Sequence, residues 1–169
     1  MDDKRTLRRR MRLLRDLIDD RLLRSVQLWT DLSTTAEYAA ASTVMAYVAI
    51  AGEPDTDALF ARLQADGKVL ALPRAVGDTI ESALLGGGLV PGPHGVAEPG
   101  GQSVVADLVV VPGLAFTVDG WRLGRGGGHY DRFLATCVAP SIGVCFAEQL
   151  VDDLPHEPHD VRMSRVLAA

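Results

Sequence analysis

Residues 124–131 read Gly-Arg-Gly-Gly-Gly-His-Tyr-Asp, with four glycines around one arginine just before a helical pattern. Glycines ahead of a helix let backbone N–H groups converge without Cβ obstruction, at the end where the helix dipole favours an anion. Arg125 adds a planar fork of donors suited to phosphate, and Arg122 brackets Gly124 from the other side. The loop therefore reads as a polyphosphate cradle. It is not a Walker loop, because no Gly-Lys-Ser/Thr is present, and Gly124-x-Gly126 lacks the third glycine of the dinucleotide fingerprint. Asp131 opens the helical pattern and can hold Mg²⁺ against phosphate oxygens, since that ion usually takes one or two carboxylates plus waters. It can equally be a first-turn acid favoured by the dipole.

The flanks of the loop are rich in flat rings. Phe116, Trp121, Tyr130 and Phe133 all lie within this short stretch and offer stacking surfaces, with Phe133 better suited to the core. At the amino terminus, Leu7, Met11, Leu14, Ile18 and Leu22 recur at helical steps, so one amphipathic helix is expected from Asp3 to about Leu28. Lys4, Arg8 and Arg15 lie along one edge of that apolar stripe, from which long cationic side chains can reach a neighbouring site.

The remaining elements alternate. A short helix is expected over Thr34–Ala41 and a buried strand over Thr43–Ile50. Asp55 or Thr56 can cap a helix running to Ala65. Further strands are expected over Lys68–Leu72, stopped by Pro73, and over Ile80–Leu85, Asp107–Val111 and Ser141–Phe146. A helix is expected over His129–Cys137 and an edge strand over Val161–Leu167, while Pro91–Gly100 is too rich in Pro and Gly for regular structure. Continuously apolar strands alternating with helices predict an α/β fold: a three-layer sandwich whose largely parallel sheet is covered by helices on both faces. Ligands of such sheets gather beyond the carboxyl ends of the strands, so the Glu53 loop and the glycine loop can share one site.

Composition narrows the class. A chain of 169 residues fits one domain, and 47% apolar with 23% charged content is that of an ordinary globular protein. No apolar stretch approaches the roughly 20 residues that span a bilayer. Cys137 and Cys145 lack metal-site spacing, so a reduced cytoplasmic protein is expected. Residues 1–24 carry nine Lys/Arg against five Asp in a chain of net charge −5, an acidic balance that argues against a broad nucleic-acid footprint.

The run Val111-Pro112-Gly113-Leu114-Ala115-Phe116, then Gly120, Arg122-Leu123-Gly124, Gly126-Gly127-Gly128 and Tyr130-Asp131-Arg132 closely resembles the signature of 5-formyltetrahydrofolate cyclo-ligases, also called methenyltetrahydrofolate synthetases. Shorter matches keep the order: Lys4 and Arg8, Tyr47, Glu53-x-Asp55-Thr56, Leu72-Pro73-Arg74, Gly95-Val96-x-Glu98-Pro99, Gln149 and His159-Asp160. The resemblance implies ATP- and Mg²⁺-dependent cyclisation of 5-formyltetrahydrofolate to 5,10-methenyltetrahydrofolate, with release of ADP and phosphate. It implies that Lys4, Arg8, Arg122, Gly124, Arg125, Gly126, Gly127, Gly128, His129 and Tyr130 bind ATP, with Arg125 and Tyr130 catalytic. Asp131 would bind the metal, and Val48 and Glu53 the folate. Reduced folate and ATP are then the partners of a cytoplasmic monomer, with no nucleic-acid or membrane partner.

Two positions depart from the pattern. His129 stands where the family usually has a second tyrosine. Ser164 falls near the expected place of a second Mg²⁺ carboxylate, for which Asp160 or water would substitute. A folate- or nucleotide-binding paralogue without turnover is the alternative reading.

Overall fold

The amino-terminal amphipathic run forms two helices, α1 (Lys4–Asp16) and α2 (Arg21–Ser33), where one was expected. This is a computed structural model describing residues 3–50 and 52–169. The break falls before Asp20, whose φ of 52° is left-handed, a conformation that aspartate tolerates better than most residues. Past the break the buried face changes. Leu7, Met11 and Ile18 are buried, but Leu22, expected on the same stripe, is 71% exposed, and Leu28, Trp29 and Leu32 take over.

α3 (Ala36–Ala40) leads into β1 (Thr43–Met45). This strand is shorter than the expected span to Ile50: its ladder stops at Met45, although Ala46 and Tyr47 stay buried as the chain turns towards Glu53. Next come α4 (Asp57–Ala65), β2 (Val69–Val76) and β3 (Thr79–Leu84). Thr56 is the N-cap residue of α4 by position, but its hydroxyl accepts from the Ala49 N–H instead of capping. Pro73 does not stop β2. Beyond Ala71 the parallel partner β1 has left, so no ladder on that side asks for the missing N–H.

Pro91–Gly100, expected to be irregular, instead contributes to a ribbon of β4 (Leu89–Pro91) and β5 (Ala97–Pro99). The chain continues through β6 (Leu108–Pro112), β7 (Ala115–Phe116) and β8 (Arg122–Leu123). It closes with α5 (His129–Leu134), β9 (Ser141–Cys145) and β10 (Arg165–Ala168). α5 ends before the expected Cys137, whose N–H reaches back to the Phe133 carbonyl in a final turn.

The six-stranded sheet runs β10-β9-β6-β1-β2-β3, and only β3 is antiparallel to its neighbour. Alternation along the strands sends side chains to two faces. Val44, Leu72, Leu108, Val110, Ile142 and Val144 pack with Leu28, Trp29 and Leu32 of α2 and Leu59 and Leu63 of α4. Met45, Ala71, Val109, Val111 and Cys145 pack on the other side with Tyr130, Phe133 and Leu134 of α5. The expected three layers are therefore present. A third cluster joins Leu7 and Met11 of α1 to Leu114, Ala115, Leu123 and Leu154, fixing α1 against the β7–β8 hairpin. Among the described residues, no helix is long and apolar enough to cross a membrane.

Gly143 lies within β9 beneath the fully buried Phe116, and a Cβ there would sit 2.4 Å from the ring. Gly143→Ala should therefore cost about 1–3 kcal/mol through overpacking, read as a lower urea midpoint. An unchanged midpoint would contradict this packing.

Candidate active site

A cavity of about 660 Å³ opens beyond the carboxyl ends of β1 and β6. The chain leaving β6 is held by Gln149, which is fully buried. Its amide nitrogen donates to the Gly113 and Leu114 carbonyls at 3.1 and 3.0 Å, while its oxygen accepts from the Phe146 N–H at 3.0 Å. Such a satisfied buried amide fixes where the long loop begins. The loop ends with Gly126 at φ 112° and Gly128 at φ 69°, left-handed conformations that glycine alone adopts cheaply, and α5 starts directly after.

α1 lends its cations to this loop. Arg8 Nε donates to the Gly124 carbonyl at 3.0 Å, and Lys4 Nζ lies 2.6 Å from Asp160 and 3.4 Å from Glu157. Arg132 of α5 ties the loop to the β2–β3 turn, donating to the carbonyls of Asp78 at 2.6 Å and Gly127 at 2.5 Å. That hairpin supplies Pro73, Ala75 and Ile80 to the cavity, and β5 supplies Ala97 and Glu98. Glu98 accepts from the Ala75 N–H at 3.0 Å. Strand periodicity in the sequence does not reveal this wall, because the sheet edge that forms it is a matter of topology.

The opposite loop is equally anchored. Tyr47 donates to the Pro54 carbonyl at 2.9 Å, Trp29 to the Asp55 carbonyl at 2.7 Å, and Ser25 accepts from the Asp55 N–H at 2.9 Å. These bonds hold Glu53, whose Oε2 accepts from the Ile50 N–H at 3.1 Å and whose Oε1 accepts from Arg125 at 2.9 Å. Val48 lines the same cavity.

The structure brings Lys4, Arg8, Val48, Glu53, Arg122 and the whole stretch from Gly124 to Asp131 to one cavity. Of the four clustered aromatics, only Tyr130 lines it. Phe116 is in the core, Phe133 packs against the core, and Trp121 stacks on His156 at 3.9 Å with Arg162 over its ring. Ser164 accepts from the Ser141 N–H at the amino end of β9, on the far side of the sheet from the cavity. Asp160, by contrast, lies in the cavity wall. Arg15 is buried close to Gly52, a placement its position on the basic edge of α1 foreshadows without naming its neighbour.

Burial pushes the Tyr130 phenol, and likewise Tyr47, well above the ordinary tyrosine value, so both stay neutral. Arg122 is almost wholly enclosed. It donates to Asp131 at 3.0 Å, and its guanidinium carbon lies 5.4 Å from the centre of the Tyr130 ring. Burial pushes the Asp160 carboxyl up, but the Lys4 hydrogen bond, the Glu157 N–H and the Lys4 charge outweigh it, leaving a net depression. Cations and open backbone around Gly126–Gly128 fit a polyphosphate. The Asp131 carboxylate at the helix start fits a Mg²⁺ that shares phosphate oxygens and waters.

A cationic glycine loop at the carboxyl end of a parallel α/β sheet is the build of a phosphate-handling enzyme. Over residues 1–169 the chain matches the 5-formyltetrahydrofolate cyclo-ligase family, a family of ligases, and it belongs to that family. It is 39% identical to a 5-formyltetrahydrofolate cyclo-ligase of Mycolicibacterium smegmatis over 74% of this chain and 72% of that relative. The mouse enzyme of that name is 28% identical over 95% and 89% of the two chains. The NMR structure of Aquifex aeolicus 5,10-methenyltetrahydrofolate synthetase superposes with a TM-score of 0.86 at 30% identity, covering 98% of this chain and 89% of that one. A Mycoplasma pneumoniae synthetase shares the fold at 22% identity, with a TM-score of 0.79 and 98% coverage of both chains.

The Lys4–Asp160 pair has an acid limit. A depressed carboxyl value adds stability that is fully present above the unfolded carboxylate range and is lost as pH falls through the folded value. Melting temperature should therefore fall as pH is lowered through the ordinary carboxylate range and below it, and Lys4→Met should flatten part of that fall. An equally steep acid limb in the variant would contradict the assignment.

Proposed function

We propose that this protein uses ATP to cyclise 5-formyltetrahydrofolate to 5,10-methenyltetrahydrofolate, releasing ADP and phosphate. The observation that carries the reading is the meeting of Glu53 and Arg125 at 2.9 Å, which joins an acid-bearing loop to a phosphate loop within one cavity. Reduced folate and ATP are its small-molecule partners.

The polyphosphate lies on the Gly124–Gly128 backbone, with Lys4, Arg8, Arg122 and Arg125 around it and His129 and Tyr130 at the helix start. Asp131 would hold the Mg²⁺ of the nucleotide, which when bound neutralises phosphate charge. Glu53 accepts N–H groups of the pterin ring, and Val48 packs against it. The formyl oxygen, a poor leaving group, attacks the γ-phosphorus and the bond to ADP breaks. N10 then attacks the activated formyl carbon, the carbon–oxygen bond breaks, and phosphate departs with the N10 proton. Arg125 stabilises the charge that spreads over the transferring phosphoryl oxygens, and the neutral Tyr130 hydroxyl can donate to them. No side-chain nucleophile is required.

Mixing protein, ATP, Mg²⁺ and 5-formyltetrahydrofolate should raise the near-ultraviolet absorbance of the methenyl product. Arg125→Ala should lower kcat/KM by about 10²–10³, the usual loss of one preorganised donor. A folded wild-type protein that gives no rise beside a competent control enzyme would overturn the reading.

A further inference from the structure

Both oxygens of Glu53 already have a partner. Its Oε2 is taken by the Ile50 N–H and its Oε1 by Arg125, and its side chain is only 5% exposed. With so little of the side chain exposed and Arg125 covering its cavity side, a folate N–H gains the full carboxylate charge once Arg125 moves aside. Arg125 is 45% exposed and lines the cavity, so a phosphate there competes with Glu53 for its guanidinium. We propose that the Glu53–Arg125 ion pair is an exchangeable latch that couples the two substrates, each binding more tightly once the other is in place. The proposal rests on the reading of Glu53 as the folate carboxylate and Arg125 as the phosphate fork.

The first ligand to arrive draws the pair apart, and the second finds it already open. Thermodynamic linkage makes the benefit reciprocal. A nearly buried carboxylate stripped of its partner would ordinarily be costly. Arg15 removes much of that penalty. Its guanidinium lies beneath the Glu53 loop, so close that a Cβ on Gly52 would fall 2.7 Å from its Nε. Its charge attracts Glu53 and repels Arg125. Arg15 is thus a positioning residue that keeps Glu53 ionised after the exchange and biases Arg125 towards leaving. Because Arg125 is half in solvent, screening puts the coupling at the low end of the usual range, about 3- to 10-fold.

Calorimetric titration with the imido analogue of ATP and Mg²⁺, with and without saturating 5-formyltetrahydrofolate, measures the coupling without turnover. The wild-type Kd for the analogue should fall about 3- to 10-fold when folate is present. Glu53→Gln keeps the side chain's shape and an acceptor for Ile50 but removes the charge. Without folate it should bind the analogue tighter than wild type by a similar factor, whereas a merely structural Glu53 would leave binding unchanged or weaken it. Arg15→Met should weaken analogue binding about 3-fold, with Arg15→Lys restoring it. A wild-type Kd indifferent to folate, or a folded Glu53→Gln that binds no tighter, would overturn the latch. An Arg15→Met that binds as wild type would overturn the part given to Arg15. Should Glu53→Gln fail to fold by circular dichroism, the wild-type comparison decides alone. Absence of any analogue binding by wild type would overturn the proposed function as well; binding without coupling overturns the latch and leaves that function standing.

Discussion

Lys4, Arg8, Arg122 and Arg125 stand around one cavity. Like charges this close repel strongly wherever water is partly excluded. The chain answers with an oxygen partner for each, among them Asp160 for Lys4, the Gly124 carbonyl for Arg8, Asp131 for Arg122 and Glu53 for Arg125. Except for Asp131, these partners come from distant parts of the sequence. The cradle is therefore complete only when the whole sheet is folded.

That constraint explains the supporting structure. α1 sits outside the main sheet, yet Leu7 and Met11 pin it against the β7–β8 hairpin at the depth where Lys4 and Arg8 reach the loop. Gln149 holds the loop's beginning and Arg132 its end, while Ser25, Trp29 and Tyr47 hold the facing loop. Rigid anchors on both sides leave the half-exposed Arg125 as the group with room to move. On the proposed function, the oxygens that balance these cations are the ones a phosphate would compete with, which would link stability and recognition through a few contacts.

Much of this was legible in the sequence. The glycines from Gly124 to Gly128 mark an open backbone ahead of a helix, and the helical spacing of Lys4 and Arg8 puts both on one edge. The α/β class follows from apolar strands alternating with helices. What local pattern could not supply was decided by tertiary context. The left-handed turn at Asp20 redirects an apolar stripe that would otherwise run on to Leu22. Pro73 is tolerated because its neighbouring strand has already left, and Trp121 is diverted from the cavity by stacking on His156. Arg15 lies on the right edge of its helix, but only the fold shows that Glu53 is beside it.

The central chemical claim is that the formyl oxygen itself is phosphorylated inside this cavity. It is tested most directly by following that oxygen with ¹⁸O. With 5-formyltetrahydrofolate labelled in the formyl group, one turnover by this protein should carry the label into the released inorganic phosphate, detectable by mass. Unlabelled phosphate formed together with the methenyl product would contradict the account, because the activating bond would then have been made elsewhere.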